Sequence, residues 1–148
     1  MERRDADVEY EQMLLSRYAI AQHRTEDGLE RSAYLLLSRL HVQGPMSIAE
    51  LSEAFRLDAS TLQRQTTAAM KAGLIERIPD PDGGMARKLV ISADGLERLQ
   101  RARTRYVSAI GEIMGDWSAG EVSQFADLLR RFNEAIEQRG AAAWPRRD

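Results

Sequence analysis

Apolar positions recur along the chain at spacings of three and four residues, interrupted at a few punctuated breaks. Met13, Leu14, Tyr18 and Ala21 predict a first helix over about residues 8–23, with a ragged apolar face. Thr25 to Gly28 reads as a break. Leu29, Ala33, Leu36, Leu37 and Leu40 then mark a second helix with one broad buried face. Gly44-Pro45 ends it, because glycine accepts left-handed angles and proline cannot continue a helix. Ser47-Ile48-Ala49-Glu50 is a capping box, opening a short helix with Ile48, Leu51 and Phe55 on one face. Arg56-Leu57 turns the chain, and Asp58 is placed to cap a further helix that stops at Gly73. Leu62, Thr66, Ala69 and Met70 form its inner side; Ser60, Thr61, Gln63, Arg64, Thr67 and Lys71 point outward.

The period then changes. Leu74–Ile78 and Lys88–Ser92 are short and β-compatible, and Pro79-Asp80-Pro81-Asp82-Gly83-Gly84 joins them as a turn. Ser92 caps a long helix whose seam is Leu96, Leu99, Tyr106, Ile110, Ile113 and Trp117, broken by Arg103. A second capping box, Ser118-Ala119-Gly120-Glu121, opens a helix carrying Val122, Phe125, Leu129, Phe132 and Ile136. Two successive seams of this kind want partners along their whole length. RGAAAWPRRD is expected to be a loose tail. The fold class is therefore mainly α with one small β-hairpin.

Composition changes this picture little. The chain has 148 residues, 43% hydrophobic and 30% charged, enough to bury a real core. With no cysteine there is no disulfide, thiol switch or cysteine-based metal site. MERRDADVEYEQ has charges where a signal peptide needs an apolar run, and no segment reaches the length of a membrane span. The expected location is cytoplasmic. The formal net charge is −2, so any basic surface must be local. Between Ser47 and Lys88 six cations face six anions, so binding of nucleic acid there would need positioned contacts rather than a strong field.

Position carries the functional signal. A capped short helix, a tight turn, a polar-faced helix and a hairpin together make a winged helix-turn-helix. The second helix of such a unit fits the DNA major groove. Ser60, Thr61, Gln63 and Thr67 offer small donors and acceptors there, and Arg64 offers a fork for guanine or phosphate. Alone, the same face would serve as an ordinary solvated surface; the hairpin that follows it at once argues for the groove. In the hairpin, Gly83 and Gly84 let the tip turn sharply, and Arg87 and Lys88 can meet phosphates. The plain alternative is a β-turn with two solvated cations. His23 and His41 fall on different helices without a metal-spaced partner. No nucleophile–base arrangement, P-loop or dinucleotide fingerprint appears, so no catalytic residue, metal or cofactor is expected.

These residues resemble the MarR family of bacterial transcription regulators. Its core is similar to Gly44–Leu99 through Gly44-Pro45, Ser47, Ala49-Glu50-Leu51, Leu57-Asp58, Ser60-Thr61, Arg64, Gly73-Leu74-Ile75, Arg77, Pro79-Asp80-Pro81 and Ser92 with Gly95. The resemblance implies an N-terminal dimerisation helix over 1–28, a winged lobe over 29–95 and C-terminal dimerisation helices over 96–138, leaving 139–148 as the tail. It implies a homodimer, with each lobe on half of a pseudo-palindromic double-stranded DNA site, acting as a repressor relieved by a small aromatic or phenolic ligand. Ser47 joins Ser60, Thr61, Gln63, Arg64, Thr67, Arg87 and Lys88 as DNA contacts, and Tyr18, Leu36, Leu40, His41 and Tyr106 would line the ligand cleft. Two departures stand out. Gly83-Gly84-Met85 occupies the place of the family's Asp-Arg-Arg wing, and Arg56 sits where its turn has glycine. They support an alternative, a winged-helix dimer kept as a protein-interaction module with weak DNA binding.

Overall fold

A computed structural model of the chain describes residues 1–23 and 29–146. Its elements are α1 (Asp5–Ala21), α2 (Arg31–Gln43), α3 (Ile48–Phe55), α4 (Ala59–Lys71), β1 (Ile75–Ile78), β2 (Lys88–Ile91), α5 (Ala93–Ile113) and α6 (Ala119–Gln138). The break expected over Thr25–Gly28 lies outside the described residues.

The local signals act largely as their chemistry requires. Gly44 closes α2 at φ 91°. Both capping boxes form: Ser47 Oγ accepts the Glu50 N–H while the Glu50 carboxylate accepts the Ser47 N–H, and Ser118 and Glu121 repeat the exchange. Ser92 Oγ accepts the Gly95 N–H at 2.9 Å and donates to the Gly73 carbonyl at 2.6 Å, so one hydroxyl ties the start of α5 to the end of α4. Asp58 stands at the N-cap of α4 without a side-chain cap bond. Arg56 takes the left-handed conformation at φ 52°, the position where a glycine would cost nothing.

β1 and β2 pair antiparallel, Ile75 opposite Ile91 and Ile78 opposite Lys88. Met46 adds a bridge on the far side of β2, exchanging both backbone bonds with Leu89. This link pins the linker before α3 to the hairpin. The core lies where α2, α3, α4 and the hairpin meet α5: Leu36, Leu37, Leu40, Met46, Leu51, Leu62, Leu74, Leu89 and Leu99 are all buried.

Three expectations need correction. The long seam predicts a helix reaching Trp117; α5 ends at Ile113, and Trp117 sits in the following turn, edge-to-face with Phe125 at 5.6 Å. The glycine at 115 and the cap at Ser118 stop the helix before the apolar spacing does. The tail is not loose as far as Arg146: Trp144 packs on Phe55, and Arg146 pairs with Glu137 at 3.0 Å. An aromatic and an arginine found partners made available only by folding. The first helix starts at Asp5 rather than near Val8.

α1 and α6 bury none of their own side chains. Phe125, Leu128, Leu129, Phe132 and Ile136 of α6 stand exposed, as do Val107, Ile110 and Ile113 of α5 and Met13, Leu15 and Ile20 of α1. No described helix is long and apolar enough to cross a membrane.

Candidate nucleic-acid interface

Helical periodicity splits α4 into two faces. Leu62, Thr66 and Ala69 face the core. The buried Thr66 hydroxyl donates to the Leu62 carbonyl at 2.7 Å, which satisfies it without a partner from another element. Ser60, Gln63, Arg64 and Thr67 are exposed on the opposite side, and Thr61 is half-buried. Among the described residues Arg64 Nη2 reaches only the Thr61 hydroxyl, at 3.5 Å. The guanidinium therefore keeps most of its donors open to a base edge or phosphate.

Ser47 is buried and its oxygen is occupied by the α3 cap. The hairpin tip is set by Asp80, whose carboxylate accepts the Asp82 N–H at 2.9 Å, and by Gly83 at φ 83°. Met85 is fully exposed near the tip. Arg87 is exposed on the returning arm. Lys88 behaves differently: its ammonium binds the Glu50 carboxylate of α3. This bond holds the Glu50 carboxyl below the usual carboxylate range, assisted by the Ser47 donors, and raises Lys88 above its ordinary value. Of the two cations expected at phosphates, Arg87 is exposed and Lys88 is paired with Glu50.

Arg77 is a further exposed cation on the hairpin. With Arg87 it borders a cleft of about 260 Å³ beside Ser47, Ile48 and Ala49. Arg77 opposes Leu89, so Arg87 lies diagonally from it on the same face of the hairpin. Arg77 is a family landmark in the sequence but was not among the contact residues; only the strand register places it beside Arg87.

The five residues expected around a ligand do not share one cavity. Leu36 and Leu40 are sealed in the core. His41 is half-buried and borders a shallow cleft with Leu99, Arg103 and Val107. Tyr18 is half-buried on α1. Tyr106 is buried, its hydroxyl 2.9 Å from His23 Nδ1 and its ring 5.0 Å from that of Tyr34. Burial pushes the Tyr106 phenol upward. His23, read from sequence as a surface or packing residue, is the packing kind. A separate cleft of about 450 Å³ lies between α2, α4 and α5, lined by Leu29, Ala33, Ala69 and Leu74 and by the charged side chains Glu30, Arg64 and Arg98. Among the described residues no group of acidic, histidine or cysteine side chains is arranged to hold a metal ion.

The MarR family model matches residues 29–83. YxaD of Bacillus subtilis (strain 168), an uncharacterized HTH-type transcriptional regulator, is 36% identical over 132 residues, covering 87% of this chain and 92% of YxaD. A crystal structure of MarR matches with a TM-score of 0.76 at 22% identity, over 95% of this chain and 98% of that one. PcaV from Streptomyces coelicolor, in complex with its natural ligand, matches with a TM-score of 0.61 at 22% identity, over 86% and 91%. At these identities the structures speak for the fold alone, whereas the sequence likeness to YxaD extends over almost the whole chain. With a polar, arginine-bearing α4 set beside a β-hairpin wing, the chain belongs to the MarR family of winged-helix transcriptional regulators.

Proposed function

We propose that the chain acts in the cytoplasm as a homodimeric repressor, holding a pseudo-palindromic operator and releasing it when a small aromatic or phenolic ligand binds. One observation carries this reading: the described residues close one core beneath an open α4 face, while α1 and α6 leave their apolar sides uncovered. Those sides fit a second copy, and a two-fold axis then places two α4 helices roughly 10 bp apart on DNA. The ligand reading is supported by the cleft bearing Arg64 and Arg98. A carboxylate there would engage Arg64 and compete with DNA for it, which is the differential affinity that release requires.

The test is a gel-shift titration of the purified protein against DNA upstream of its own gene, paired with a sizing measurement. Specific binding by a dimer is expected, with Arg64→Ala weakening it by ~1–3 kcal/mol. Unchanged affinity in the variant removes Arg64 from the interface. The interaction-module reading is favoured by the Lys88–Glu50 pair and the Met85 tip, which leave Arg77 and Arg87 as the cations beside the α3–wing cleft. Sequence-blind binding that vanishes at moderate salt would decide for it.

A further inference from the structure

The segment after α6 is held at both ends. Arg39 of α2 is buried, and among the described residues no carboxylate lies within ion-pair distance of it. A buried cation of this kind is costly unless other groups replace its water. Its Nε donates to Gln43 Oε1 at 2.8 Å. The remaining replacements come from the tail: Nη1 donates to the Ala143 carbonyl at 3.3 Å, and the guanidinium carbon lies 4.8 Å from the centre of the Trp144 ring. Trp144 also meets Phe55 of α3 edge-to-face at 5.3 Å. At the other end, Glu137 of α6 accepts two N–H groups of Arg146, both at 3.0 Å, and the Trp144 backbone N–H at 3.2 Å. This fork–fork pair holds the Glu137 carboxyl below its usual range.

Between these two anchors α6 and the lobe do not close on each other. A cleft of about 590 Å³ separates them, with Leu35 and Phe55 on one side and Asn133 and Ile136 on the other, and Ile136 remains 47% exposed. A gap crossed by a short segment fixed at each end is the geometry of a strap. We propose that residues 139–146 strap α6 to the winged lobe, with Trp144 seated between Arg39 and Phe55 and Arg146 clamped on Glu137, so that the tail sets the lobe's orientation relative to α6. The consequence for DNA rests on the repressor reading: with α6 in the dimer, the strap narrows the range of half-site spacings that the two α4 helices accept. The strap itself does not depend on that reading.

The chain has no cysteine, so spin labels placed at Lys71→Cys on α4 and Gln124→Cys on α6 go nowhere else. The distance between them is measured in the full-length protein, with excess unlabelled chain so that only intrachain pairs report. Trp144→Ala empties the seat; Glu137→Gln keeps the shape and weakens the clamp, and it decides alone if the first variant does not fold. The expected result is one narrow distance in the parent and a broader distribution in the variants at unchanged helical content. Equal widths overturn the strap. In the DNA arm, Trp144→Ala should lose roughly fivefold on the preferred spacing, the low end of coupling between sites. It should also discriminate less against spacers longer or shorter by one base pair. A parent that selects no operator ends the repressor reading, and the distance measurement then judges the strap by itself.

Discussion

Glycine-to-alanine substitution inside a helix ordinarily stabilises by up to ~1 kcal/mol, because alanine has less backbone freedom to lose. At Gly95 the sign should reverse. Gly95 lies in the first turn of α5, where that helix rests on the base of the wing. A Cβ added there would fall 2.9 Å from the Leu74 carbonyl carbon and 3.0 Å from Ile91 Cγ1, and closer still to the Leu74 oxygen. Carbon atoms pack comfortably at ~3.5–4.0 Å, so the helix start would have to withdraw by more than ~0.5 Å. That oxygen is not free to move, since it accepts the Ser92 N–H at 3.0 Å, and Ser92 Oγ in turn caps Gly95 itself. Overpacking strain of ~1–3 kcal/mol adds to a weakened buried hydrogen bond worth ~1 kcal/mol. Against the helix gain, the net loss is ~1–3 kcal/mol, or a fall in melting temperature of ~2–12 °C for a chain of this size. Gly120→Ala is the internal control: its Cβ would meet only Ser118 Oγ at 3.8 Å, an ordinary contact, and should raise stability slightly. Thermal melts by far-UV circular dichroism at one protein concentration compare the two. A Gly95→Ala protein that melts with the parent or above it would refute the close-approach reasoning.

Arg87→Ala should lower affinity for every DNA sequence and reduce the salt slope by ~1, the signature of one lost phosphate contact; an unchanged slope removes Arg87 from the backbone contacts. Glu50→Gln should release Lys88, raising sequence-blind affinity and steepening the same slope. Because the folded Glu50 carboxyl sits below its usual range, its bond to Lys88 stabilises the wing above the ordinary carboxylate pKa and is lost as pH falls through the depressed folded value. The melting difference between parent and Glu50→Gln should therefore hold at neutral pH and shrink in acid, and a difference that grows on acidification contradicts the pairing. Arg56→Gly should remove the left-handed penalty of ~1 kcal/mol and raise the melting temperature by ~2–4 °C; a lower melting temperature would mean the arginine side chain contributes more than its backbone costs.

Local chemistry was readable from the chain itself. Ser47 with Glu50, Ser118 with Glu121, Gly44 and Ser92 act within a few residues, and the apolar period around Leu36, Leu62 and Leu99 reports burial directly; the winged helix and its outward α4 face follow from these. Tertiary structure decided what depends on distant partners. Lys88 was a free cation in sequence until α3 brought Glu50 to it, and Arg77 joined Arg87 only through the register of the hairpin. Leu36 and Leu40 went to the core rather than to a cleft, since periodicity marks a buried side without saying what covers it. Trp144 and Arg146 looked like part of a loose tail because their partners, Arg39, Phe55 and Glu137, belong to three different helices. Side-chain identity constrains neighbours along the backbone; contacts between elements arise only when the whole chain closes.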